Sequence, residues 1–259
     1  VRREDVELLD QSLDALADLG IEPGSGDQTL SLWQLAQARP ETLDAFEQLG
    51  LDDASVQAVR ELREKIKRFK GLPSVAIPAG FKGELRPYQQ QGLDFLAWTS
   101  SLGLGAVLAD DMGLGKTVQA LAWLLHLRAG AKRKGPALVV CPASVVHNWE
   151  REARTFAPKL RVQTLTSGPE RAGQLEHLAD YDLVITNYAL LRIDADVWRE
   201  QSLFTVIVDE AQMIKNPSAA ISKLVCELRA PHRLALTGTP LENRALDLWS
   251  IVRFANPGY

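Results

Sequence analysis

Cysteine is scarce. The chain has Cys141 and Cys226 alone, without C-x-x-C spacing and both in apolar surroundings. That excludes a disulfide framework, and both read as core residues in a reducing compartment. The four histidines, His126, His147, His177 and His232, show no ligand spacing, so no zinc site is expected. Long apolar runs are also missing, and none approaches the ~18 residues that span a bilayer. Strong positive charge is lacking too. Residues 1–80 hold 15 acidic and 9 basic side chains, which leaves 18 and 20 for the remainder, within a net charge of -4. Composition therefore gives no field of the kind that announces a nucleic-acid binder. What is present is 46% hydrophobic and 24% charged residues over 259 positions, enough for one large globular domain with or without a small appendage. The chain opens on Val1 rather than Met, which leads us to expect a piece of a longer protein.

The first 70 residues read as short amphipathic helices. Leu9, Leu13, Leu16 and Leu19 recur at helical spacing before Gly20. Further helices are expected through Leu32, Leu35 and Ala36, then from Pro40 through Leu43, Phe46 and Leu49. A fourth carries Val59, Leu62, Ile66 and Phe69. Its basic run, Arg63 to Lys70, reads as a solvated face, with phosphate contact as the alternative. The acidity of the front piece reads as ordinary surface, with mimicry of DNA as the alternative. Residues 71–83, rich in Pro and Gly, read as a linker. After them the texture changes. "GAVLA", "ALVVC", "DLVIT", "FTVIV" and "RLALT" are short apolar runs separated by helical stretches. Buried parallel strands read this way, in an α/β sheet covered by helices on both faces.

One loop stands out. "DDMGLGKT", residues 110 to 117, follows the first of these runs and precedes a helix expected from Thr117 to Arg128. A bare Gly-Lys followed by Ser or Thr is weak, since chance places that pattern in roughly one chain in ten of this length. The strict phosphate-loop pattern also wants Gly where Asp110 stands. Context decides. Strand, loop, helix is the order a phosphate site requires, because a helix N-terminus presents free N–H groups and partial positive charge. Gly113 and Gly115 let the backbone turn its amides inward. Lys116 can then reach the β- and γ-phosphates, and Thr117 can ligate Mg²⁺.

The second piece is "FTVIVDEAQMIKN". An apolar strand ends in Asp209 and Glu210, and adjacent acids there are costly without partners or work. At the carboxyl end of a parallel sheet they face the ligand crevice. Asp209 would hold Mg²⁺, and Glu210 would orient and deprotonate the attacking water.

"LRPYQQQGLDFL", "DDMGLGKT", "VVCPASVVHNWEREARTF", "VITNYALL", "DEAQMIKN" and "LALTGTPLENRALDLWSIVRFANPG" occur in that order. Together, over about residues 81 to 259, they resemble the first RecA-like lobe of the Swi/Snf-type ATPases of helicase superfamily two, in a bacterial member. The resemblance implies an α/β RecA-like P-loop domain with a mostly parallel sheet flanked by helices, over residues 84–259, and the helical spacing read above places a small all-helical segment, 1–70, before it. It implies ATP as substrate, Mg²⁺ as cofactor and duplex DNA as partner, in a DNA-stimulated ATP hydrolase that tracks along DNA.

By the same resemblance Gln89 reads the adenine edge, with Arg86 and Tyr88 shaping that pocket. Asp110, Asp111, Met112, Gly113, Leu114, Gly115, Lys116 and Thr117 form the phosphate loop, where the side chains of Met112 and Leu114 are expected to pack on the sheet. Lys116 and Glu210 are the catalytic pair, and Thr117 and Asp209 the metal pair. Gln212, Thr237, Gly238 and Thr239 would pass the γ-phosphate state to the nucleic-acid groove. Ser144, Asn148, Thr186 and Asn187 would touch one strand's phosphates, contacts that need few lysines.

Two departures from the pattern are visible. Asp111 stands where many relatives have Glu, and Gln212 where many have His. Glutamine cannot titrate but can still hydrogen-bond to the third motif. Trp98, Trp123, Trp149 and Trp249 lie at helical apolar positions and are expected in the core, with base stacking as the alternative. The resemblance also implies a second RecA-like lobe with arginine fingers beyond "FANPGY", so this chain is expected to be half a motor that turns over little ATP. A strand-separating DNA or RNA helicase of the same superfamily, or a nucleotide-binding module with decayed hydrolysis, remain as other readings.

Overall fold

The computed structural model describes residues 53–131, 135–238 and 245–257. The helices expected at Leu9–Leu19, Leu32–Ala36 and Pro40–Leu49 lie outside them. Helix α1 (Asp53–Lys67) belongs to a unit separate from Leu72–Pro257. It buries Val59 and Leu62, whereas Ile66 in its last turn and Phe69 beyond its end stay largely exposed.

The larger unit runs α2 (Pro87–Ser101), β1 (Ala106–Leu108), α3 (Lys116–Gly130), β2 (Ala137–Cys141), α4 (Val146–Phe156), β3 (Val162–Thr164), α5 (Arg171–Glu176), β4 (Leu183–Asn187), α6 (Tyr188–Ile193), α7 (Ala195–Glu200), β5 (Thr205–Val208), α8 (Ala220–Glu227), β6 (His232–Leu236) and α9 (Ala245–Ala255). The strands form a six-stranded sheet in the order β1-β6-β5-β2-β4-β3, and every pairing is parallel. The expected runs all become strands. Strand β3 was not foreseen, since it is three half-buried residues at the sheet edge with no apolar run to mark it.

Alternation along the strands builds two cores. Ala137, Val139, Cys141, Ile185, Ile207 and Leu234 face one side, with Leu93, Leu96, Trp123 and Trp149 from helices α2, α3 and α4. Leu138, Val140, Val184, Val206, Val208 and Ala235 face the other, with Leu191, Trp198, Val225 and Phe254. Helix α3 is buried over every residue from Gln119 to Leu125, so its sequence carries little amphipathic signal.

Residues 71–83, read as a linker, have no helix or strand. Within them Phe81 is buried and stacks on Phe156 at 5.8 Å, and the Val75 amide donates to Asp94 Oδ1 at 2.9 Å. One expectation is corrected: Trp249 is 46% exposed, because α9 turns Ser250, Ile251 and Phe254 inward instead. The Arg253 guanidinium lies 5.4 Å over its ring.

The opposite edge of the sheet is fastened by charge. Arg128, buried at the end of α3, pairs with Asp182 just ahead of β4 and donates to the Gly135 carbonyl at 3.0 Å. Burial pushes the Asp182 carboxyl up. The hydrogen bonds from Arg161 and the charge of Arg128 bring it below the usual range. A depressed folded pKa means stability that is present at neutral pH and lost as pH falls through it. Asp182→Ala leaves Arg128 buried and unpaired, and should cost about 3 kcal/mol in urea denaturation at pH 7. The gap to wild type should narrow below pH ~4.

Candidate functional site

Because every pairing is parallel, the carboxyl ends of all strands share one edge. Across that edge, in spatial order, stand the loop 110–117 after β1, Thr237 after β6, Asp209 and Glu210 after β5, the turn Ala143–Val145 after β2, and Asn187 ending β4. The sequence motifs, scattered along the chain, become neighbours here.

The loop turns on two left-handed glycines, Gly113 at φ 82 and Gly115 at φ 77, and α3 begins directly at Lys116. Thr117 lies in that first helical turn. The Lys116 ammonium folds back onto the carbonyls of Asp110 and Asp111 at 2.7 and 3.0 Å, so two of its three donors hold the loop closed. Helix α2 fastens the same loop from outside. Tyr88 Oη and Gln89 Nε2 both donate to the Leu114 carbonyl, at 3.2 and 3.0 Å. The Arg86 amide donates to Gln89 Oε1 at 2.9 Å, while the Arg86 side chain stays exposed. The left-handed backbone demands glycine at 115, and a Cβ there would stand 2.6 Å from Gln89 Nε2 and push that amide aside.

Met112 departs from expectation. It is 74% exposed, off the sheet, and lies against the next motif, where a Cβ on Gly238 would meet Met112 Cγ at 3.0 Å. Leu114 is half-buried and Asp111 exposed.

Asp209 sits half-buried at the sheet edge, its amide continuing the ladder to the Val140 carbonyl at 2.8 Å. Trp149 Nε1 donates to its Oδ2 at 2.8 Å, and the Glu210 amide donates to its Oδ1 at 2.9 Å. Burial raises the Asp209 pKa. The two hydrogen bonds and the charge of Lys116 act against that, and Glu210 acts with it. Tyr188 Oη donates to the Asp209 carbonyl at 2.6 Å, and burial next to these acids holds the phenol far above its usual pKa, as a neutral donor. Burial, with Asp209 nearby, pushes the Cys141 thiol up to about 12.

Glu210 has φ 51, the left-handed region, and is the non-glycine residue with positive φ among the described residues. That conformation costs roughly 1–2 kcal/mol. Gln212 Nε2 donates to Glu210 Oε2 at 2.6 Å, and Thr237 Oγ1 donates to Gln212 Oε1 at 3.1 Å. The Thr237 amide donates to the Leu108 carbonyl at 3.1 Å. One chain of side-chain contacts therefore joins the ends of β5 and β6. Thr239 lies outside the described residues.

The segment after β2 and β4 is less uniform. Ser144 is exposed in its turn. Asn148 spends its amide along α4, donating to Glu152 Oε1 at 2.8 Å and accepting from Arg151. Asn187 Oδ1 caps α6, accepting from the amides of Ala189 and Leu190 at 3.0 Å each. The expectation of a surface contact fails at Thr186. It is fully buried within β4 on the Val184 face, and its hydroxyl has no partner.

Sequence reasoning missed three residues here. Trp149 was expected in the core and Tyr188 was given no role of its own, although each has a polar tip that must find a partner when buried. Gln119, fully buried in α3, donates to Asp110 Oδ2 at 2.8 Å and lies so close to α2 that a Cβ on Gly92 would stand 1.9 Å from its Oε1. A polar residue in the middle of an apolar helical run was the signal. Gly92→Ala should therefore cost about 1–3 kcal/mol, read as a lower Tm. Adding Gln119→Ala should recover part of that loss, since the two atoms compete for one space.

Residues 88–259 match the family model described as SNF2-related domain. Over 204 residues the chain is 43% identical to YwqA of Bacillus subtilis (strain 168), named for ATP-dependent helicase or translocase activity, covering 78% of this chain and 22% of that protein. Over 207 residues it is 36% identical to the TATA-binding protein-associated factor MOT1 of Saccharomyces cerevisiae, covering 75% of this chain and 11% of the other. Among solved structures, the Sulfolobus solfataricus SWI2/SNF2 ATPase core in complex with dsDNA superposes with a TM-score of 0.65 at 44% identity, over 72% of this chain and 38% of that one. The chain thus spans about a fifth of the length of YwqA, 22%. With its motif segments gathered on one edge of a RecA-like parallel sheet, the chain belongs to the SNF2-related domain family.

Proposed function

We propose that this chain is the ATP-binding lobe of a motor that tracks along duplex DNA without separating its strands, and that needs a second lobe for efficient hydrolysis. The observation that carries the reading is the meeting, on one sheet edge, of a glycine-turned loop at a helix start with the acidic pair Asp209 and Glu210.

The triphosphate would lie on the loop amides, where the start of α3 adds partial positive charge. Lys116 would exchange the Asp110 and Asp111 carbonyls for phosphate oxygens. The donor set fits Mg²⁺. Among the described residues no cluster of three or more His, Cys, Asp or Glu could cage a metal, and Mg²⁺ usually takes one or two carboxylates, with phosphates and water. Asp209 and Thr117 would hold the ion, which when bound neutralises phosphate charge. Glu210, steadied by Gln212, would take a proton from the attacking water, a contribution of ~10²–10⁴ in rate. Loss of the γ-phosphate would be felt at Glu210 and passed through Gln212 to Thr237 and on to Gly238 and Thr239. Gln89, with Arg86 and Tyr88, would meet the base while bracing the loop.

Duplex DNA as the track is favoured by the 44% identity to a SWI2/SNF2 core solved with dsDNA. Ser144, Asn148 and Asn187 would contact phosphates, and Thr186, being buried, drops out of that set.

In the longer, two-lobed protein, Glu210→Gln should lower DNA-stimulated turnover by about 10²–10⁴ while a fluorescent ATP analogue still binds. Unchanged turnover would remove Glu210 from this role. Stimulation by single-stranded RNA alone would reverse the choice of track, and brisk hydrolysis by this chain alone would remove the need for a second lobe.

A further inference from the structure

Asp209 is gripped from two sides by elements that do not belong to the nucleotide half of the edge. Trp149 reaches it from α4, the helix that leaves the turn Ala143–Val145. Tyr188 reaches it from the start of α6, directly after Asn187. Trp149 is fully buried, and its N–H donates to the acid at 2.8 Å. A buried indole N–H has one donor and no acceptor capacity, so it points the carboxylate rather than sharing a proton with it. The second carboxylate oxygen accepts from the Glu210 amide. Together these bonds fix the rotation of the carboxylate about its own axis.

We propose that Trp149 is a positioning residue for Asp209, so that the placement of the metal-binding acid depends on helix α4. The inference rests on the proposed role of Asp209 and adds to it. Tyr188 does the complementary task by holding the main-chain carbonyl. The segments offered to DNA then share their anchor with the segment offered to Mg²⁺. A contact that displaces α4 would rotate the carboxylate without any shift of the sheet. Outer partners that orient a metal-binding side chain commonly alter metal affinity by 10–100-fold when removed.

The protein supplies its own control. Trp123 is also almost fully buried in the same core, but its N–H donates to Ser100 Oγ at 2.9 Å. Binding of a fluorescent ATP analogue to the 259-residue chain, followed by anisotropy against Mg²⁺ concentration, separates packing from positioning. Trp149→Phe should need about tenfold more Mg²⁺ for half-maximal binding, with Mg²⁺-free binding unchanged. Trp123→Phe should follow wild type in Mg²⁺ dependence even where its Tm falls equally. A Trp149→Phe curve that matches wild type, or an equal shift in Trp123→Phe, overturns the inference. Absence of Mg²⁺-dependent binding in wild type overturns the proposed function itself, and this inference with it.

A second measurement does not require Trp149→Phe to fold. Among the six tryptophan indole N–H signals of the ¹⁵N-labelled wild-type chain, one should move on Asp209→Asn. The same signal should move when Mg²⁺ and nucleotide are added. If no indole signal answers both changes, the inference is overturned.

Discussion

The structure turns on how one carboxylate can stand at the rim of an apolar sheet. Strand β5 lies inside the sheet, between β6 and β2, with every residue from Thr205 to Val208 buried. An ionised group at its end loses much of its hydration, and the raised pKa of Asp209 records that loss. The cost is offset locally. Two N–H donors hold the carboxylate, a phenol holds the carbonyl, and the amide stays in the ladder. Both carboxylate oxygens, the carbonyl and the amide of Asp209 are thereby all held.

Glu210 solves a different problem. With φ 51 it abandons the extended backbone of the strand at once. Such strain persists only where the surroundings over-determine it. Here the constraints are its own amide on Asp209 and its carboxylate on Gln212. Glutamine in place of histidine changes the character of the link. An amide offers a donor to Glu210 and an acceptor to Thr237 at the same time, and it does so at any pH. A histidine in one tautomer could also serve both, but its donors and acceptors would change on protonation.

Much of this was legible in the sequence, for physical reasons that differ by residue. "GAVLA", "ALVVC" and "FTVIV" announced buried strands because both faces of a parallel sheet are covered, which forces near-continuous apolar runs. Gly113 and Gly115 announced a tight turn ahead of a helix, because few residue types adopt the left-handed backbone found at both. Strand β3 stayed hidden because a half-buried edge strand needs no apolar run. Trp149 stayed hidden because periodicity reports only that a ring is inward, not where its polar tip goes, and Tyr188 because nothing in the sequence marks the partner of a single hydroxyl. Thr186 was misread for the reverse reason: a short polar residue looked like surface, whereas its place inside β4 buries it. Gln119 shows the rule that separates these cases. A polar side chain is informative when its neighbours in sequence are buried, and Ala120 to Leu125 are.

The sheet also limits how one half of the edge can affect the other. Its central strands are buried on both faces and paired on both sides, so they cannot bend without breaking ladder bonds and repacking two cores. Regions that open cheaply are those with few buried contacts, and here those are the loops beyond the strand ends. Communication along the edge is then confined to side chains that bridge neighbouring loops. On the side of loop 110–117 the bridges are Gln89 to Leu114 and Gln212 to Thr237. On the other side they are Trp149 and Tyr188 to Asp209. All but the first converge on the two acids after β5, the strand that stands between the two halves. The order of strands therefore decides which residue can couple the halves, and it leaves the Asp209–Glu210 pair in that place.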